Sequence, residues 1–127
     1  MDAQTRDFVQ RRAGNRCEYC RIPQAVNAFF TFHVEHIVAV QHQGTDDTEN
    51  LAFACHRCNA YKGTNLSSVD PETAQIVALF HPRREEWRDH FEQAGGVVRG
   101  LTSTGRATVR LLNMNAPHRV ESRASSL

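Results

Sequence analysis

No apolar run in this chain approaches the roughly 20 residues that a membrane-crossing helix needs. Its start, MDAQTRDFVQRR, also lacks the apolar segment of an export signal. The expectation is a cytoplasmic protein with no membrane partner. Lysine is nearly missing, since fourteen of the fifteen basic residues are arginine, the side chain whose planar fork matches phosphate oxygens. No internal repeat or low-complexity tract is present, which removes repeat architectures. What is left, at 127 residues with 40% hydrophobic and 23% charged residues, is one ordinary globular domain whose small core needs an extra staple.

The cysteines supply a candidate staple. They form two Cys-x-x-Cys pairs, Cys17 with Cys20 and Cys55 with Cys58, and none is left over. A reducing compartment disfavours disulfides. Two such knuckles place four thiolates tetrahedrally around one zinc ion, a closed and therefore structural site. A redox protein that uses the four cysteines for iron is the rival reading. The stretch between Cys20 and Cys55 is longer than in a usual zinc ribbon, so a foldable unit is held between the knuckles, and function belongs there.

Charge is segregated along the chain although its formal net value is only +1. Residues 1–21 carry a net +2, residues 22–80 a net −4, and residues 99–127 a net +4. Basic arms around an acidic middle suit phosphate-gripping ends about a cation-binding centre, and equally suit plain solvated faces.

Periodicity predicts a helix from Thr5 to Ala13 and a strand from about Phe29 to Ile37. LAFAC is either a strand or a helical first turn, and CHRCNAYKG is a short helix stopped by Gly63. Further on, EEWRDHFEQA reads as a helix ended by Gly95-Gly96, VVRGLT as a strand, and RATVRLLNM as a last helix with Val109 and Leu112 inward. Residues 116–127 read as a frayed tail.

Three groups of residues now stand together. Glu35-His36 closes the strand, Asn50-Leu51 follows a glycine-containing loop, and Asn59 with Lys62-Gly63 ends the run C-H-R-C-N-x-x-K-G. Over roughly Arg11 to Leu66 this resembles an HNH nuclease of the His-Me finger superfamily. That family's pattern is an acidic residue plus His on a first strand, then Asn-Leu, then His or Asn on a helix. The block from DPETAQIVALFHPR to GLTSTGRATVRLL resembles the C-terminal extension of one bacterial HNH group.

The resemblance implies a metal-dependent endonuclease that hydrolyses DNA phosphodiester bonds. His36 is the general base, histidine being the side-chain type suited to taking a proton at neutral pH. Asn50 hydrogen-bonds across the hairpin and fixes the His loop. Glu35 and Asn59 ligate a catalytic Mg²⁺ or Mn²⁺ through oxygen. Lys62 is the natural phosphate contact, and Arg57, Arg106 and Arg110 are further DNA-binding candidates. Neighbouring strand residues point to opposite faces, so Glu35 and His36 share a site only where the strand twists or bulges.

The expected architecture is α+β. A ββα-metal unit over residues 1–66, stapled by a four-cysteine zinc site, is followed by a strand-helix extension over 67–127 packed on the same domain. Glu replaces the family's usual Asp at 35, and Ala39 stands where many members have Pro. These departures keep a second reading open, a zinc-stapled nucleic-acid-binding module without catalysis.

Overall fold

The structure, a computed structural model, describes residues 1–27 and 29–126. Asp2 starts the first helix: its carboxylate accepts the Thr5 amide at 2.7 Å, so α1 runs Ala3–Arg12, starting ahead of the apolar pattern. α1 buries Val9. Arg6 donates to the Phe32 carbonyl at 3.2 Å, and Arg12 to the Thr48 and Leu51 carbonyls at 2.9 and 2.8 Å. These arginines of the basic N-terminal arm tie the helix to the hairpin instead of reaching outward.

β1 (His33–His36) and β2 (Leu51–Ala54) form an antiparallel hairpin with His33 opposite Ala54 and His36 opposite Leu51. LAFAC is thus a strand, and every residue of β2 is buried. α2 (His56–Lys62) follows at once, because Cys55 caps it with Sγ accepting the Cys58 amide at 3.4 Å. It stops at Gly63, whose φ of 51° suits glycine. β1 is shorter than expected. The Gln24 side chain takes the Phe30 carbonyl and the Phe32 amide, both at 2.8 Å, so the backbone before His33 is satisfied without a ladder.

Beyond the hairpin unit, β3 (Ser67–Val69) and β4 (Ile76–Ala78) pair around the Asp70-Pro71 turn. The helix expected over 85–94 survives only as α3 (Trp87–His90). β5 (Phe91–Ala94) follows directly and pairs with β6 (Val97–Gly100) across Gly95-Gly96. Two glycines between short runs make a hairpin loop as readily as a helix stop. Packing decides between them: the strand buries Phe91 against Trp87 and Phe80, with ring centroids 5.1 and 5.2 Å away. α4 (Ser103–Leu111) is capped by Thr102, whose Oγ1 accepts the Gly105 amide at 3.0 Å. Leu112 is buried behind it and Val109 packs on the core, as the pattern predicts.

The tail is not frayed. Residues Pro117–Ala124 form α5, and its Arg119 and Arg123 are buried. The chain leaves carbonyls of Leu112, Asn113, Met114 and Gly96 without helical partners, and these two guanidiniums, one turn apart, satisfy them. Gly96 permits the crossing, because a Cβ there would lie 1.9 Å from the Val120 carbonyl oxygen.

The architecture is α+β, with two-stranded antiparallel sheets and a cysteine-stapled hairpin-helix unit. One hydrophobic cluster takes Val9, Tyr19 and Phe53 from before residue 66 and Phe80, Phe91 and Leu112 from after it. A buried Glu18–Arg83 ion pair and a 2.8 Å bond from Trp87 Nε1 to the Tyr19 carbonyl cross the same line. Among the described residues no helix is long and apolar enough to cross a membrane.

Candidate functional site

Each cysteine knuckle is set by its own backbone. The Cys20 amide faces Cys17 Sγ at 3.5 Å, and the Cys58 amide faces Cys55 Sγ at 3.4 Å. Together the four buried sulfurs lie within 4.8 Å of one another. Tetrahedral zinc with Zn–S bonds of about 2.3 Å needs sulfurs about 3.8 Å apart. The Cys20–Cys55 separation is 3.8 Å, so the donor set fits a structural zinc ion and leaves no position open for substrate.

Four thiolates around Zn²⁺ leave an excess negative charge, and Arg119 answers it. Its guanidinium reaches Cys58 Sγ at 3.0 Å and Cys55 Sγ at 3.6 Å. Burial works against the Arg119 charge, but the neighbouring thiolates outweigh it and hold the group above its ordinary value. Arg119→Leu is therefore expected to weaken zinc binding by about 10- to 100-fold, with Arg119→Lys intermediate. Competition against a chromophoric chelator measures this, and unchanged zinc affinity in the Leu variant would count against the role.

At the hairpin, strand alternation separates the Glu-His pair. Glu35 is 7% exposed and faces the interior, where the Tyr19 hydroxyl donates to Oε1 and Lys62 Nζ lies 3.1 Å from Oε2. Burial pushes the Glu35 carboxyl above its ordinary value, against the pull of Lys62 and Tyr19. Burial and the Glu35 charge likewise push the Tyr19 hydroxyl well up, so it stays a donor. Lys62, 2% exposed, spends its remaining donors on the Ile37 and His36 carbonyls at 2.9 and 3.3 Å. The lysine thus ties the end of α2 to the end of β1.

His36 points the other way and keeps 27% of its side chain exposed. Its Nε2 lies 2.7 Å from Asp46 Oδ1. Asn50 sets that meeting up. Its Oδ1 accepts the Val38 amide at 2.9 Å, while Nδ2 donates to the Val38 carbonyl at 3.0 Å and the Thr45 carbonyl at 2.8 Å. The loop lies so close to the strand exit that a Cβ on Gly44 would sit 1.7 Å from the Val38 oxygen. Clamping Thr45 in this way brings the next residue, Asp46, to the imidazole.

Three expectations are corrected by this geometry. Lys62 cannot grip DNA, because it is buried and all its bonds are internal. Arg106 is bound to Asp70 at 3.0 and 2.7 Å and paired with Glu72, so its charge is spent inside the extension. Glu35 offers no free oxygen to a cation. Asn59, half-buried on α2, makes no side-chain hydrogen bond among the described residues and stands alone as an oxygen donor. Glu35 and Asn59 as placed therefore do not form the expected Mg²⁺ or Mn²⁺ site, which asks for several oxygen ligands. Arg57 on α2 and Arg110 on α4 are exposed, and α4 packs on β3, β4 and β6.

Sequence reasoning missed Asp46, Tyr19 and Arg119 as site residues. Asp46 carried a signal, being an acid in a short loop closed by Asn50. The other two act through packing that no local pattern announces.

A thiolate-stapled hairpin and helix, with a partly exposed histidine beside a clamped loop, defines a zinc-stabilised ββα domain. Residues 17–65 match the family model described as HNH endonuclease. No curated protein and no solved structure matches the chain significantly.

Proposed function

We propose that this protein hydrolyses DNA phosphodiester bonds with His36 as general base and Asp46 as its positioning residue. The observation that carries the reading is the 2.7 Å contact between His36 Nε2 and Asp46 at the surface of the HNH segment. A carboxylate only accepts hydrogen bonds, so the neutral imidazole must carry its proton on Nε2. Nδ1 is then left with the lone pair that takes a proton from an attacking water. The oxygen of that water adds to phosphorus, and the bond to the leaving oxygen breaks as that oxygen takes a proton from solvent. Asn50 touches no substrate in this scheme. It holds Thr45, and through Thr45 the carboxylate that fixes the ring.

A plasmid nicking assay with and without added Mg²⁺ tests the proposal. His36→Ala should slow nicking about 100- to 10,000-fold, with zinc content, circular dichroism and DNA affinity at wild-type values. Asp46→Ala should lower kcat by about 10- to 100-fold through misorientation, with little change in KM. The inward-facing Glu35 favours a second reading, a zinc-stapled nucleic-acid-binding module without catalysis. Equal nicking by wild type and His36→Ala would leave that module as the better account.

A further inference from the structure

Two aromatic side chains that the expected strand would have placed in a sheet are left at the surface: Phe29 is 94% exposed and Phe30 63%. Burying neither one costs folding free energy that a core position would recover, so a role outside the core is worth seeking. Phe30 is not free to wander, because Gln24 holds its carbonyl at 2.8 Å and the Phe32 amide two residues on at the same distance. Its ring stacks on His56, with centroids 6.5 Å apart and planes 22° from parallel. His56 lies in turn against His33, centroids 5.6 Å apart. Burial, with His56 and Arg6 nearby, holds His33 below its ordinary value.

Beside this series of flat rings opens a cavity of about 390 Å³, within the range of small-molecule sites. Ile22, Val26 and Phe32 give it an apolar wall, while Arg57 and His118 stand at its polar side and, among the described residues, no carboxylate lines it. Among the described residues neither Arg57 nor His118 is paired with an acid. A planar aromatic face joined to unpaired basic groups complements a nucleobase and its phosphate.

We infer that this cavity receives an unpaired nucleobase of the nucleic-acid strand, stacked on Phe30 and His56 with its phosphate on Arg57 and His118. The inference rests on the nucleic-acid reading of the HNH segment and adds a substrate preference to it. A base must leave its stack to enter, so single-stranded or locally opened DNA is bound ahead of intact duplex.

Fluorescence anisotropy on zinc-loaded full-length His36→Ala protein tests it, with a labelled single-stranded oligonucleotide and the duplex of the same sequence. Phe30→Ala should weaken single-strand binding by about tenfold or more and leave duplex binding nearly unchanged. Phe30→Tyr should restore the single-strand affinity. Phe29→Ala, whose side chain lies outside the cavity, should change neither. Unaltered single-strand affinity in Phe30→Ala, or equal losses in Phe29→Ala and Phe30→Ala, overturns the pocket while leaving the nuclease reading to its own nicking assay. Failure of the folded protein to bind either form of DNA overturns both.

Discussion

Cys17→Ser loses its zinc and its cooperative unfolding transition together. The four sulfurs join a knuckle after α1 to one between β2 and α2, across a sequence separation of 35 residues between Cys20 and Cys55. Structural zinc sites of this kind contribute about 10–16 kcal/mol of apparent binding free energy at neutral pH. That is as large as the whole net stability of a typical domain. With three thiolates left, the metal is held too weakly to close the fold. Zinc per chain by atomic absorption, beside a thermal melt followed by circular dichroism, gives the answer. A zinc-free Cys17→Ser protein that still melts cooperatively at the wild-type temperature would show the core to be self-sufficient.

Lys62→Ala is the second large effect, and it appears in stability before it appears in DNA binding. Removing the ammonium leaves the Glu35 carboxylate buried with only Tyr19 for company, and leaves the Ile37 and His36 carbonyls without their donor. Breaking a buried ion pair from one side costs about 3–5 kcal/mol. Urea unfolding should move to a lower midpoint by that amount with the slope unchanged. The double variant Glu35→Leu/Lys62→Met should recover part of the loss, since it removes both charges, but the Tyr19 hydroxyl is then unpartnered and keeps recovery incomplete. Wild-type stability with weakened DNA binding in Lys62→Ala would return the lysine to the surface role expected of it from sequence.

What could be read in advance followed rules that act locally. Cysteine spacing announced a four-thiolate cluster because the knuckle needs only its own amides. β1 and α2 were legible because β-branched and aromatic residues mark the strand and Gly63 the helix stop, whereas LAFAC stayed open between strand and helical turn until its pairing with β1 chose. Gly95-Gly96 was ambiguous, since the same two residues end a helix or turn a hairpin, and the burial of Phe91 chose between them. Nothing local marked α5. Arg119 and Arg123 are interior because they donate to carbonyls just before the helix and to the distant Gly96 carbonyl and Cys55 and Cys58 sulfurs. The Glu-His pair failed differently: residue types were visible, but alternation on an unbulged strand sent one inward to Lys62 and the other outward to Asp46.

The reach of Arg119 to Cys58, across 61 residues of sequence, also sets an order of events during synthesis. All four cysteines leave the ribosome well before α5 exists. At about 5–20 residues per second, the interval between Cys58 and Arg119 is roughly 3–12 s. For those seconds the knuckles lack their guanidinium partner, which the last helix brings to the sulfurs.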